Sequence, residues 1–154
     1  MKIDANEIEG IRRTLADYTV NGDRLRFEAL AATFAAGGVF ETPSGTFRGR
    51  EAIIASLSDR TGTPLADPAL HPRVFTRHNL TTCHIELTST RTAKVRTYFI
   101  VFSAIGADHA GVYDDEMVRE ADGWRFAYRR VRVDWIHSNT VLQGLLQALN
   151  SSSI

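Results

Sequence analysis

The first sixty residues show helical and strand patterns in turn. Apolar residues recur every three or four positions at Ile8, Ile11, Leu15 and Tyr18. This spacing predicts an amphipathic helix over residues 5–20, and Gly22 is suited to end it. The same spacing predicts a second short helix beginning near Phe27 and a third helix over REAIIASLSDR. Between these two helices, VFET and TFRG are typical of short strands, and PSG is typical of the turn that joins them.

After residue 74 the pattern becomes that of β-strands. Four segments are rich in Val, Ile, Thr, Phe and Tyr: VFTRHNLTTCHIEL, TAKVRTYFIVFSAI, GVYDDEMVRE and WRFAYRRVRVDW. A proline-containing loop over residues 59–73 precedes them, and leucines near the C-terminus predict a short apolar helix there. Helices followed by a meander of strands indicate an α+β fold. We expect a cone-shaped barrel, in which three N-terminal helices cover a curved antiparallel sheet and leave a conical pocket.

This fold accounts for the whole chain as one domain. We expect a single domain over residues 1–154, with its core at about residues 5–136 and a C-terminal helix and tail at residues 139–154.

The composition excludes several classes of protein. Lys plus Arg and Asp plus Glu number 18 each, so no net charge attracts the chain to nucleic acid or to a membrane. Cys83 is the single cysteine, which excludes an internal disulfide and fits a reducing compartment. The N-terminus lacks the apolar core of a signal peptide, and no apolar run reaches the length of a membrane span. We therefore expect a cytoplasmic protein that binds neither nucleic acid nor membrane.

Motifs of high specificity are absent from the sequence, including a glycine-rich phosphate loop and a nucleophile elbow. His78 and His84 are expected on one face of a strand, but six strand residues separate them by about 20 Å. One metal ion cannot bind both. His71, His109 and His137 are expected in loops or at a strand end, in contact with water. The sequence therefore predicts no metal site.

Polar residues inside otherwise apolar segments are better candidates for chemistry. His78 shares a predicted strand face with Leu80 and Thr82, and histidine titrates near neutral pH, which suits proton transfer. A carboxylate on the other ring nitrogen would fix the tautomer, and Asp23 can supply it if the first helix crosses the mouth of the sheet. Alternatively, Asp23 caps a helix that begins at Arg24, and His78 contacts a backbone group.

Further polar residues each have two interpretations. Tyr18 ends the apolar stripe of the first helix, so it is either a core aromatic residue or a hydroxyl donor to a substrate. Arg129 shares a predicted face with Val131, and a buried guanidinium requires an anion, for which Asp115 is the candidate. That pair is either a structural ion pair or part of a substrate-binding wall. Cys83 is expected to point away from the histidine of its strand, as a small buried residue.

The order of the elements, together with particular residues, resembles a known family. The stretch YTVNGDRLRFEALAATFAAGGVFETPSGTFRGREAI has a tyrosine, an aspartate five residues later, a leucine, a phenylalanine, a strand and a G-x-x-A-I helix. This arrangement is similar to the SnoaL-like branch of the nuclear transport factor 2-like superfamily. Later segments match the family at its R-H, Y-x-D and G-W-R positions, so the resemblance covers about residues 5–136. It implies a cone of sheet covered by helices, a fold that supports many activities.

The resemblance also implies an activity. Scytalone dehydratase, bile-acid 7α-dehydratase and hexachlorocyclohexane dehydrochlorinase are lyases of this superfamily that use a His–Asp pair. By position, the catalytic residues are then His78, Asp23 and Tyr18. The implied function is a cofactor-independent lyase, of the dehydratase or dehydrohalogenase type, that removes a proton from a small apolar or aromatic substrate. An isomerase, a polyketide-type cyclase, and a non-catalytic ligand-binding or small oxygenase-subunit-like module are the alternatives.

Six residues are expected to line the substrate site: Arg129, Asp115, Thr42, Phe40, Thr82 and Tyr98. Thr42 lies where ketosteroid isomerase has its base aspartate, so that enzyme's mechanism is not expected. Thr82 lies where the family has an asparagine after the histidine. The apolar C-terminal helix favours a homo-oligomer, a dimer or a trimer.

Overall fold

The computed structural model describes residues 5–61, 75–140, 142 and 149–151. Within these residues, we number as helices α1 (Ala5–Asp23), α2 (Phe27–Ala31) and α3 (Arg50–Thr61). The strands of the same described ranges are β1 (Phe34–Thr42), β2 (Gly45–Arg48), β3 (Thr76–Leu87), β4 (Thr92–Ser103), β5 (Gly106–Glu120) and β6 (Gly123–Ile136). The predicted α+β order is confirmed. Of the predicted C-terminal helix, Leu142 is described and is not helical, whereas residues 149–151 are described and are helical. Most of the predicted loop at 59–73 lies outside the described residues.

The six strands form one sheet in the order β2-β1-β6-β5-β4-β3. Strands β3 to β6 form the predicted antiparallel meander. Strand β1 joins the edge of this meander by pairing with β6 in the parallel sense, and β2 folds back antiparallel on β1. The sheet is therefore mixed, because this one pairing is parallel.

Helix α1 packs along the inner face of the sheet. Its buried residues repeat at helical spacing: Ile11, Thr14, Leu15, Tyr18 and Thr19. Near its start, Glu7 Oε2 accepts a hydrogen bond of 2.6 Å from Trp124 Nε1, and the Thr14 hydroxyl donates to the Trp124 carbonyl at 2.9 Å. The helix therefore begins at the β5–β6 turn, and its other end extends toward β3.

Paired residues of neighbouring strands form successive layers on the inner face. We call the layer of His78, Val101 and His109 the histidine layer. The next layers are Leu80, Phe99 and Gly111, then Cys83, Thr97 and Tyr113, then Ile85, Val95, Asp115 and Arg129. The aromatic core, with Phe34 and Phe126 fully buried, lies beyond these layers. The histidine layer is thus at the end of the sheet farthest from this core.

A β-bulge in β3 changes which side chains face inward. The register shifts between Leu80 and Cys83, so one extra residue interrupts the alternation of faces. Cys83 consequently packs against the core with Leu80, whereas Thr82 and His84 are exposed. The predictions that Cys83 points away from His78 and that His84 shares its face were wrong, because they assumed uninterrupted alternation. Within the described part of the chain, no helix is both long enough and apolar enough to cross a bilayer.

Candidate functional site

The end of α1 and the start of β3 bring Asp23 and His78 together. The His78 Nδ1 lies 2.6 Å from Asp23 Oδ1, and the His78 backbone N–H donates to Asp23 Oδ2 at 3.0 Å. The Thr76 hydroxyl adds a weaker bond of 3.4 Å to Asp23 Oδ1. The side chain of Asp23 is 3% exposed, and that of His78 is 24% exposed. The carboxylate is thus enclosed, while part of the imidazole remains accessible.

Asp23 is the last residue of α1 and does not cap the next helix. The residue at the N-cap of α2 is Arg26, and Leu25 has a positive φ of 56° between the two helices. The turn from α1 to α2 therefore leaves the Asp23 side chain directed at β3. The interpretation of Asp23 as a cap for a helix beginning at Arg24 was wrong, because α1 continues to Asp23 and α2 begins only at Phe27.

The Asp23 carboxylate is ionised at neutral pH. Burial by itself would raise the pKa of Asp23, but the hydrogen bonds and positive charge of His78 outweigh burial and lower this pKa below its ordinary value. An ionised carboxylate only accepts hydrogen bonds, so His78 Nδ1 donates to it, and in the neutral form of the ring the single proton is on Nδ1. The lone pair is then on Nε2, the nitrogen that is not bonded to Asp23.

A second histidine–aspartate pair lies in the adjacent strands. The His109 Nδ1 is 2.8 Å from Asp108 Oδ1, and the side chains of the two residues are 6% and 0% exposed. Burial lowers the pKa of His109 below its ordinary value, although the Asp108 carboxylate opposes this effect. The His109 ring is therefore neutral at neutral pH, and its Nε2 also carries a lone pair.

The expectation that His109 lies in a loop in contact with water was wrong. Adjacent strand residues normally point to opposite faces, which would separate Asp108 from His109. The β4–β5 register shifts between Val101 and Phe102, so Asp108 is the extra residue of a bulge beside His109. This irregularity turns both side chains inward. The adjacent Asp108-His109 in the sequence was the available signal for this pair.

The two imidazoles face each other in the histidine layer. The ring centroids of His78 and His109 are 6.4 Å apart, and the ring planes are nearly perpendicular at 86°. The Phe99 ring is 6.1 Å from the His109 ring and stacks on Tyr113 at 4.4 Å. Two carboxylate-bound imidazoles therefore border an aromatic wall, an arrangement suited to moving protons on an apolar molecule.

The predicted Arg129–Asp115 pair forms a separate layer. Arg129 Nε and Nη2 donate to the two Asp115 oxygens at 2.7 Å each, and both side chains are buried. The guanidinium carbon lies 4.2, 4.2 and 4.0 Å from the ring centroids of Tyr18, Tyr113 and Phe126. Asp115 is six residues from His109 along β5, about 20 Å. Of the two interpretations of the Arg129–Asp115 pair, this placement favours a structural ion pair over a substrate-binding wall.

Tyr18 packs inside this aromatic layer. Its ring contacts Phe34, Phe40 and Phe126 edge-on, at centroid distances of 6.1, 6.3 and 5.7 Å. The residue is 7% exposed. The Tyr18 ring therefore has a role in the core, and its role as a hydroxyl donor stays a prediction.

The remaining predicted site residues divide between the two faces. Phe40 and Thr42 are buried on β1, and the Thr42 hydroxyl accepts a bond of 3.2 Å from the Ser44 N–H in the β1–β2 turn. Thr82 is exposed at the β3 bulge. Tyr98 is 47% exposed, because its neighbours Thr97 and Phe99 are the inward residues of β4. The structure therefore contradicts the predicted inward positions of Thr82 and Tyr98.

The described residues contain no group of three or more His, Cys, Asp or Glu side chains arranged to bind a metal ion. His71 lies outside these residues.

Comparisons with known proteins agree with this architecture. The family model described as the SnoaL-like domain matches residues 4–130. A search of curated proteins found no match. Among solved structures, Rv3472 of Mycobacterium tuberculosis, of unknown function, is 24% identical, covering 96% of this chain and 88% of that chain (TM-score 0.73). A proposed scytalone dehydratase from Novosphingobium aromaticivorans is 22% identical, and the match covers 88% of this chain and 89% of that chain (TM-score 0.70). A protein from Catenulispora acidiphila, solved in complex with S-DNPA, is 29% identical, and the match covers 85% of this chain and 96% of that chain (TM-score 0.66).

Proposed function

The chain belongs to the SnoaL-like family, and we propose that it is a cofactor-independent lyase in which His78 is the general base. The observation that carries the proposal is the contact of 2.6 Å between His78 Nδ1 and the enclosed Asp23 carboxylate. This contact directs the His78 lone pair, on Nε2, away from the carboxylate. The similarity to a proposed scytalone dehydratase is consistent with a dehydratase reaction, although it shows the fold alone.

The substrate is a small apolar molecule with an acidic C–H beside a carbon that carries a leaving group. His78 Nε2 accepts the proton, the C–H electron pair forms the double bond, and the leaving group departs with its bonding pair. Asp23 stabilises the imidazolium that forms. If the leaving group is hydroxide, it takes the proton from His78 and departs as water. If it is a halide, the proton passes to solvent. Either route returns His78 to its neutral form.

The reaction can be tested without knowledge of the natural substrate. In 5-nitrobenzisoxazole, removal of one C–H proton breaks the N–O bond and gives a coloured cyanophenolate. We expect His78→Ala to reduce kcat/KM for this probe by about 10²–10⁴-fold, the usual contribution of a general base. His84→Ala is the matched control, because His84 lies on the same strand and is exposed. A His78→Ala protein that is folded and as active as the control would refute the assignment, and would favour a non-catalytic ligand-binding module.

The second imidazole favours one alternative, an isomerase. With the ring centroids 6.4 Å apart, His78 would accept a proton from one carbon and pass it through water to Nε2 of the neutral His109. The His109 imidazolium formed in this way would donate the proton to another carbon, which returns both rings to their neutral forms. Cyclohex-3-enone tests this activity, because its isomerisation to cyclohex-2-enone is followed by absorbance. Isomerisation lost in His109→Gln, with elimination of the benzisoxazole retained, would favour the isomerase. Loss of neither activity would exclude a role for His109.

A further inference from the structure

Asp108 is the centre of a hydrogen-bonded cluster that joins three parts of the fold. It lies in the β5 bulge and has no exposed surface. Its Oδ2 accepts a bond of 2.8 Å from the Ser103 hydroxyl at the end of β4. Its Oδ1 accepts a bond of 2.5 Å from the Thr140 hydroxyl, beyond the end of β6, and also contacts His109 Nδ1. We call Ser103, Asp108 and Thr140 the Asp108 cluster.

The segment after β6 is fixed to the same cluster by its backbone. The His137 N–H donates to the Asp108 carbonyl at 2.7 Å, and the Thr140 N–H donates to the His137 carbonyl at 3.0 Å. The Thr140 hydroxyl also accepts a bond of 3.1 Å from the Leu142 N–H. Thr140 is 2% exposed, and Ser103 is 5% exposed. Both hydroxyls therefore reach the carboxylate in a part of the protein that excludes water.

We propose that Ser103 and Thr140 are positioning residues that act through Asp108 to orient the His109 imidazole and to limit its basicity. Each hydroxyl that donates to the carboxylate stabilises its negative charge locally, and this reduces the attraction of the carboxylate for a proton on His109. Both donors thus keep the ring neutral while Asp108 Oδ1 fixes its tautomer. Thr140 donates to the same oxygen that contacts His109, so its hydroxyl acts most directly on this ring.

Among the described residues, the titratable groups that act on His109 are Asp108 and His78. Asp23 is bonded to the far side of the His78 ring, and Phe99, which packs on His109, is uncharged. A change at Thr140 alters neither His78 nor Asp23. The titration of His109 therefore reports the state of Asp108 when Thr140 or Ser103 is changed.

The test is an NMR titration of the His109 ring protons in the whole chain, with the resonance assigned from the spectrum of His109→Gln. Thr140→Val replaces the hydroxyl by a methyl group of similar size, and we expect the titration midpoint to rise by about 0.5–1 pH unit. Thr140→Ser keeps the hydroxyl and should restore the native midpoint. A folded Thr140→Val protein with an unchanged midpoint would overturn the proposal.

Ser103→Ala is the second variant, and it removes the donor to Oδ2. If Thr140→Val does not fold, Ser103→Ala becomes the test, and we expect it to raise the midpoint of the His109 titration. An unchanged midpoint in Ser103→Ala would then overturn the proposal. The inference rests on the proposed function in one respect, because a role of His109 in proton transfer belongs to that proposal. The two fail separately, because the titration does not require turnover and the benzisoxazole assay of His78→Ala does not involve Thr140.

Discussion

Replacing Asp23 by asparagine tests the interaction on which the proposed mechanism depends. Asparagine has nearly the same shape as aspartate but carries no charge, and its single carbonyl oxygen can still accept the His78 Nδ1–H bond. Its amide nitrogen cannot accept the bond that the His78 backbone N–H donates to Asp23 Oδ2. The substitution also removes the stabilisation of the imidazolium that forms when His78 takes a proton. We expect Asp23→Asn to lower kcat for 5-nitrobenzisoxazole while the protein remains folded.

The expected magnitude follows from the geometry of the pair. The contact of 2.6 Å between Nδ1 and Oδ1 places the centres of the two charges about 4 Å apart. At an effective dielectric constant of about 20, unit charges at that separation attract by about 4 kcal/mol. The His78 side chain is 24% exposed, so solvent reduces this value to about 2–4 kcal/mol. At about 1.36 kcal/mol for each factor of ten, kcat should fall by about 30–1,000-fold.

The assay is the rate of cyanophenolate formation under saturating and subsaturating probe. Asp17→Asn is the matched control, since it is the same substitution on an exposed position of α1. We expect the control to retain native kcat and KM. A folded Asp23→Asn protein whose kcat is within about threefold of the control would refute the reasoning, because an imidazolium stabilised by Asp23 must lose about 0.7 kcal/mol or more.

Two further predictions concern stability. Asp115→Ala leaves Arg129 buried without its anion, so we expect the free energy of unfolding to fall by about 3–5 kcal/mol in denaturant titrations. The control is Asp122→Ala, because the Asp122 side chain is 72% exposed. A loss in Asp115→Ala no larger than the loss in this control would contradict the prediction. Burial lowers the pKa of His109 below its ordinary 6.5, so below about pH 6.5 the unfolded chain binds a proton that the folded chain does not. The free energy of unfolding should therefore fall as the pH is lowered through that range, by at most about 1.36 kcal/mol per pH unit from this residue. His109→Gln should remove this part of the slope, and an unchanged slope would show that His109 is not the cause.

The sequence predicts the helices and the meander because their periodicity depends on local spacing. The stripe from Ile11 to Tyr18 could be oriented correctly because a helix that covers a sheet buries its apolar face. No local pattern relates residues 55 positions apart, so the residue types give the pairing of Asp23 with His78 as only one of two interpretations, and the resemblance to a family favours it. The parallel pairing of β1 with β6 likewise depends on long-range packing.

The errors in the predicted site come from two bulges and, for Tyr98, from assigning an outward-facing residue of β4 to the site. One extra residue in β3 exchanges the faces of Thr82 and Cys83, and one in β5 brings Asp108 beside His109. The alternation of a strand in the sequence gives no sign of such an insertion. In β4, Lys94 and Arg96 lie on the same face as Tyr98, so the alternation already indicates that Tyr98 faces outward, as it does in the structure.

Chemical rescue of His78→Gly is the most direct test of the central claim, that His78 is the general base. Free imidazole added to this variant can occupy the space of the missing ring and accept the proton in its place. We predict that imidazole restores elimination of 5-nitrobenzisoxazole with saturation kinetics, and that it has no such effect on His84→Gly. A variant that retains the native rate without imidazole would contradict the claim. The claim would also be contradicted if imidazole accelerated the reaction with His78→Gly only as much as it accelerates the reaction in buffer without protein.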